Sequence, residues 1–248
     1  MWDWGAFFHY LHNTYLLTGA GVTLALSLAS LAIGLCCGTL AALMRMSRNP
    51  LLSKPAAFYI WLMRGTPVLV QLIIIYTGLP QLGIRLNVIE SSLIGLGLNE
   101  GAYLAEIIRA GILAVPRGQF EAARSVGMTH AMTMRIIVLP QAMRIIIPPL
   151  GNTFNSLLKT TSLASVISME ELLRRTEVLI QVQFKVLEIF IVAALYYLVM
   201  TTIWGFIQER LEAHFSRSHA APKDEAGAEA ALQPNARIEK VLLSHDAQ

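Results

Sequence analysis

The sequence predicts an all-α integral membrane protein: five transmembrane helices, with a cytoplasmic helix–turn–helix loop between the third and the fourth. Three observations carry this expectation. Apolar residues make up 55% of the 248 and charged ones 14%, where a soluble domain holds about 25% charge; mean hydropathy is +0.56. Apolar windows long enough for the roughly 20 helical residues a bilayer core requires recur along the chain. Lys and Arg concentrate in alternate connections, the pattern that sets orientation in a membrane.

Residues 1–14 form an N-terminal extracytoplasmic segment. Trp2, Trp4, Phe7, Phe8 and Tyr10 suit it to the interface. No Lys or Arg precedes Arg45, so the charged start of a signal peptide is missing and the first apolar helix is expected to stay as an anchor. The membrane-spanning body covers 15–210. Its first span, Tyr15–Met44, contains Gly34-x-x-x-Gly38 with Thr39, Ala41 and Ala42 nearby, small residues that let another helix approach closely, in this chain or in a partner. Cys36 and Cys37 are adjacent, about 100° apart around a helix, and read as packing residues rather than a disulfide.

The second span, Ala56–Leu79, is interrupted at Arg64-Gly65-Thr66-Pro67, where the proline predicts a kink with freed carbonyls. Arg64 can snorkel to the cytoplasmic interface, and Gln71 is the better candidate for lining a path. The third span, Val88–Val115, carries Asn99 and Glu100, which should face a cavity or partner rather than lipid. Glu106 and Arg109, three apart, are placed for an ion pair that holds the cytoplasmic end of the span to the loop. In the fourth span, Pro140–Ser168, Thr153, Ser156 and Thr160 make a polar stripe beside Asn152, Asn155 and Lys159, read as a cavity lining. The fifth is Leu187–Ile207. Residues 211–248 read as a cytoplasmic, disordered tail in which Ile238–Leu243 alone has the makings of a short docking helix.

Arg45, Arg48 and Lys54, then Arg117, Arg124 and Arg135, then Arg210 and Arg217 fall on one side. On the other, Arg85, Arg174, Arg175 and Lys185 are mixed with Glu170, Glu171, Glu177 and Glu188. The N-terminus is therefore expected outside and the 116–140 loop and C-terminus in the cytoplasm. Within that loop, Glu121-Ala122-Ala123 opens a short helix that Gly127 ends in the left-handed conformation. Thr129 is placed to cap a second short helix running to Pro140. Glu121 is expected to cap the first helix, complementing its dipole.

This arrangement, Glu-Ala-Ala, three residues, Gly, nine residues, then Ile137-x-Leu139-Pro140, resembles the coupling loop of ABC importer permeases. Arg64-Gly65-Thr66-Pro67, Gly101-Ala102-Tyr103-Leu104-Ala105-Glu106, Pro116-Arg117-Gly118-Gln119 and Lys159-Thr160-Thr161-Ser162-Leu163 extend the resemblance to the polar amino acid uptake branch, over roughly residues 15–210. One departure is Met132, where relatives often place the Gln of a capping box. The resemblance implies a type I ABC importer-like permease of the bacterial inner membrane. It implies as partners a cytoplasmic ATPase dimer, an extracytoplasmic amino-acid-binding protein and a second permease subunit, identical or related. It places the ATPase contact on Glu121, Ala122, Ala123, Gly127, Leu139 and Pro140, and the substrate pathway on Gln71, Asn99, Glu100, Asn152, Thr153, Ser156 and Thr160. Relatives that carry cationic amino acids often have acids where Thr153 and Thr160 stand. Their absence, with Lys159 nearby, favours a neutral or weakly polar amino acid; an acidic one, cystine or an opine is the alternative.

The chain is not expected to be an enzyme. It lacks a G-x-x-x-x-G-K-[ST] loop, so no cofactor is expected on it, and ATP and Mg²⁺ would be bound by partner ATPase subunits. His9, His12, His130, His214, His219 and His245 offer no evident third ligand for a metal. Nucleic-acid binding is excluded by the absence of basic stripes interleaved with aromatics. An ion-driven transporter or channel subunit is the rival class; it would need Glu100 or Lys159 as its coupling group.

Overall fold

The structure is a computed structural model that describes residues 2–217, among which every regular element is helical. The compact unit Met1–Glu212 holds every element except the last residues of the final helix; the tail beyond Arg217, with the short helix considered at Ile238–Leu243, lies outside the described residues. Helix α1 (Trp4–Leu11) starts where Asp3 accepts a hydrogen bond from the Ala6 N–H at 3.0 Å. Its neighbour α2 (Thr14–Met46) is capped by Asn13 and runs for 33 residues. The buried residues of α2, among them Thr23, Leu26, Ser27, Ser30, Gly34, Gly38 and Ala41, recur every three or four positions and so form one stripe. The opposite face exposes Leu17, Leu24, Leu28, Leu40 and Leu43, as a lipid-facing helix does.

That stripe packs along α5 (Val88–Leu113), which opens with a reciprocal capping box between Asn87 and Glu90. A Cβ built on Gly38 would stand 2.8 Å from the Gly101 carbonyl oxygen, and one on Gly34 would stand 3.1 Å from Glu100 Cβ. The small-residue pair thus serves close packing within this chain.

Between them, α3 (Pro50–Gly65) and α4 (Val68–Ile73) are bent by 105° across Thr66-Pro67, and α4 continues through a π turn (Ile74–Gly78) and a 3₁₀ turn to Leu82. The expected second span, Ala56–Leu79, is therefore two helices meeting at more than a right angle. The 116–140 loop contributes α6 (Arg117–Ser125), which begins four residues before Glu121 with Pro116 at its N-cap position. Glu121 is mid-helix and does not cap it, a correction with a simple cause: proline's fixed φ and missing donor start a helix more readily than an acid one turn later.

Gly127, at φ +79°, makes the turn, and Thr129 caps α7 (His130–Met132), its side chain accepting from the Met132 N–H at 3.3 Å. This second short helix does not stop at Pro140. A π turn (Thr133–Val138) leads without a break into α8 (Leu139–Thr160), followed by a 3₁₀ stretch to Ile167. A π turn offers each carbonyl a donor one residue further on, so the N–H that Pro140 lacks is not missed. Then come α9 (Leu172–Gln183) and α10 (Val186–Arg217).

By length and composition, the helical track His130–Ile167 and the helices Thr14–Met46 and Val186–Phe215 can each cross a membrane, and the bent pair would make a fourth. Helix α5 has the length, at 26 residues, but Glu90, Asn99, Glu100, Glu106 and Arg109 take it below that apolarity. Its polar centre is sheltered by neighbours, with Asn99 and Glu100 buried. The pair Glu106–Arg109, at 2.7 Å, closes within α5. What holds the end of α5 to the loop is apolar: Ile112, Val115, Val138, Ala142 and Ile146, with Phe120 packed against them.

Candidate functional site

Three elements enclose a cavity of about 1030 Å³: the α3–α4 break, α5 and α8. Helix α5 supplies Asn99, Tyr103, Glu106 and Ala110, at i, i+4, i+7 and i+11 on one face, with Glu100 at its edge. Helix α8 supplies Asn152, Thr153, Ser156 and Thr160, and the break supplies Arg64, Thr66 and Pro67. Six of the seven residues expected along a path therefore share one cavity.

Gln71 is the exception. It is buried and outside the lining, and its amide is spent on the break. Pro67 has no N–H to give the Met63 carbonyl, which would be its helical acceptor four residues back. Gln71 Nε2 donates to that oxygen at 2.9 Å and to Thr66 Oγ1 at 2.8 Å, while Asn99 Nδ2 donates to the same Met63 oxygen at 3.0 Å and to Gln71 Oε1 at 3.1 Å. A freed carbonyl inside an apolar body is thereby satisfied twice.

The cavity's polar groups are unevenly committed. Thr153 Oγ1 donates to the Pro149 carbonyl at 2.9 Å and Thr160 Oγ1 to that of Ser156 at 3.0 Å, so both hydroxyls face the cavity as acceptors. Asn152 is engaged from outside by Gln208 Nε2, at 3.2 Å. Glu106 is paired with Arg109, whereas Glu100, 8% exposed, has no ion-pair partner among the described residues. The Arg64 guanidinium lies over the Tyr103 ring, 5.2 Å from its centroid.

Lys159, counted beside the stripe, is exposed and outside the lining; Asn155, half-buried, is outside it too. The positive charge at this cavity is Arg64's instead. Tyr103 was not singled out from the sequence, although its spacing from Asn99 and Glu106 was a usable signal.

The same helical track that walls the cavity with Asn152–Thr160 begins at His130 in the exposed loop. There Glu121, Ala122, Gly127, Leu139 and Pro140 are exposed, and Ala123 is buried. Val126, 77% exposed, and Met132 and Ile136 add apolar surface that the motif does not announce.

Residues 34–217 match the model of a family described as binding-protein-dependent transport system inner membrane component. An arginine transport system permease protein of Corynebacterium glutamicum is 43% identical over 230 residues, 87% of this chain and 73% of that one. An L-cystine transport system permease protein of Bacillus subtilis is 42% identical over 200 residues, 80% and 86% of the two chains. Among solved structures, an amino acid ABC transporter crystallised with histidines superposes with a TM-score of 0.81 at 40% identity, covering 86% of this chain and 99% of the other.

Proposed function

Because the chain belongs to the binding-protein-dependent transport system inner membrane component family, we propose a working arrangement for it as an amino acid ABC importer permease. Two permease subunits, identical or related, form the pathway, and each crosses the inner membrane five times with its N-terminus outside. A cytoplasmic ATPase dimer binds ATP and Mg²⁺ and docks on Glu121, Ala122, Ala123, Gly127, Leu139 and Pro140. An extracytoplasmic binding protein delivers the substrate.

One observation carries this reading: a single helical track joins the exposed loop at His130 to the cavity wall at Asn152–Thr160. Movement of the loop is then movement of the wall. Purification of a tagged copy in mild detergent, with partners identified by mass spectrometry, tests it; absence of an ATPase under conditions that keep known importers whole refutes the docking.

For the substrate we favour a neutral or weakly polar amino acid. Its ammonium group meets Glu100 and its carboxylate meets Arg64, the two charges of the cavity without ion-pair partners among the described residues. A cationic side chain would find one further acid, Glu106, already held by Arg109. Uptake of labelled glutamine should be competed by neutral amino acids; strong competition by arginine and none by neutral amino acids refutes the assignment. Cystine is the second reading, favoured by the Bacillus relative.

A further inference from the structure

A second cavity, of about 430 Å³, adjoins the first and shares Arg64 and Glu106 with it. Arg45, from the last turn of α2, and Ile60 and Trp61 of α3 complete the part that matters here. Its charge is lopsided. Neither Arg45 nor Arg64 has an ion-pair partner among the described residues, and the acid in the wall is held by Arg109 at 2.7 Å.

Its depth is set by α2. Thirty-three residues span about 50 Å at 1.5 Å each, against a hydrocarbon core of about 30 Å, so the end turn that carries Arg45 stands among lipid headgroups. Trp61, 68% exposed, and Phe58, 60% exposed, lie side by side on α3 with ring centroids 5.8 Å apart. A tryptophan at this level marks the boundary between headgroup and acyl chain.

The uncommitted guanidinium of Arg45, an apolar floor and an aromatic lip at headgroup depth fit an anion that carries acyl chains. We propose that this cavity binds the phosphate of an anionic phospholipid, phosphatidylglycerol or cardiolipin, at Arg45, with Arg64 left to the transport cavity it borders. Guanidinium forks match phosphate oxygens in geometry, and basic recesses between spans on the side rich in Lys and Arg are where such headgroups are held. Since Arg64 borders both cavities, the lipid is a structural neighbour of the transport site. The assignment rests on membrane insertion and on no particular substrate, so it and the substrate reading fail separately.

The test uses the purified importer complex in nanodiscs of equal phosphatidylglycerol and phosphatidylcholine, with retained lipid counted by native mass spectrometry. Wild type should retain phosphatidylglycerol preferentially, and Arg45→Gln should lower that preference roughly fivefold. Equal retention by the two proteins overturns the proposal, as does displacement by millimolar inorganic phosphate, which would mean a free-anion site. Should Arg45→Gln fail to assemble, wild type is irradiated with phosphatidylglycerol carrying a photoreactive headgroup. Labelling is expected on the peptide holding Trp61; labelling only elsewhere, or a cross-link from that peptide to a second permease copy, overturns the assignment.

Discussion

Replacing Gly38 by alanine tests the packing that organises the whole body. The added Cβ would meet the Gly101 carbonyl oxygen at 2.8 Å, Leu104 Cβ at 2.9 Å and the Ala105 nitrogen at 3.1 Å. Two of these are backbone atoms, which cannot swing away. Carbon contacts relax at about 3.5–4.0 Å, so α2 and α5 must separate by several tenths of an ångström along their shared stripe. Overpacking of this kind costs about 1–3 kcal/mol.

Alanine also raises helix propensity by about 1 kcal/mol over glycine, which would mask part of the loss. Gly21, on the same helix, removes the ambiguity: a Cβ there has nothing within 4 Å, so Gly21→Ala takes the gain without the clash. Steric-trap unfolding in micelles should find Gly38→Ala less stable than Gly21→Ala by about 1–3 kcal/mol. Two variants within about 0.5 kcal/mol of each other, the scatter of surface substitutions, would refute the close approach of α2 to α5.

Gly127→Val should insert normally yet lose ATP-driven uptake, because a β-branched residue pays about 1–2 kcal/mol at φ +79°; Gly127→Asn should keep most of it, and equal uptake by the two contradicts the turn's role. Gln71→Leu strips donors from the bend and should cost about 1–3 kcal/mol in the same unfolding assay, with an unchanged midpoint counting against the bend's reliance on them. At the N-terminus, the Ala6 N–H and then Lys185 hold the Asp3 carboxyl below its ordinary value, while the hydrogen bond to Asp3, 2.9 Å long, holds the Lys185 ammonium above its own. The Asp3 contribution is complete above its ordinary value near pH 3.9 and lost as pH falls through the lowered one. The Lys185 contribution is complete below about pH 10.4 and lost as pH rises through the raised one. Amide exchange over Trp4–Leu11, corrected for intrinsic rates, should therefore be level from about pH 5 to 9; falling protection already at pH 6 would contradict it.

Long elements were legible where local physics decides them. The interruption at Pro67, the polar stripe from Asn152 to Thr160 and the turn at Gly127 all follow from one residue's backbone chemistry or from helical spacing. What escaped depended on partners distant in sequence. Nothing local says that Gln71 and Asn99, 28 residues apart, share the Met63 carbonyl, so Gln71 read as a lining residue. Pro140 read as a stop because a π turn is invisible to a 3.6-residue period. Lys159 was counted into the cavity because a stripe's width cannot be judged without the neighbouring helices.

The twice-bonded Met63 carbonyl limits which shapes this chain can visit. Straightening α3 onto α4 would strip three of the hydrogen bonds that Gln71 and Asn99 donate, those to Met63 and Thr66, while the bond between the two amides joins α4 to α5 and survives. At about 1 kcal/mol each that is roughly 3 kcal/mol, and with 1.4 kcal/mol per tenfold these bonds alone hold the straight form to about one part in a hundred. The elbow is thus the favoured shape of this segment. Any displacement of α3 alone carries the Met63 oxygen away from both amides, so α3 keeps these hydrogen bonds only where α4 and α5 travel with it.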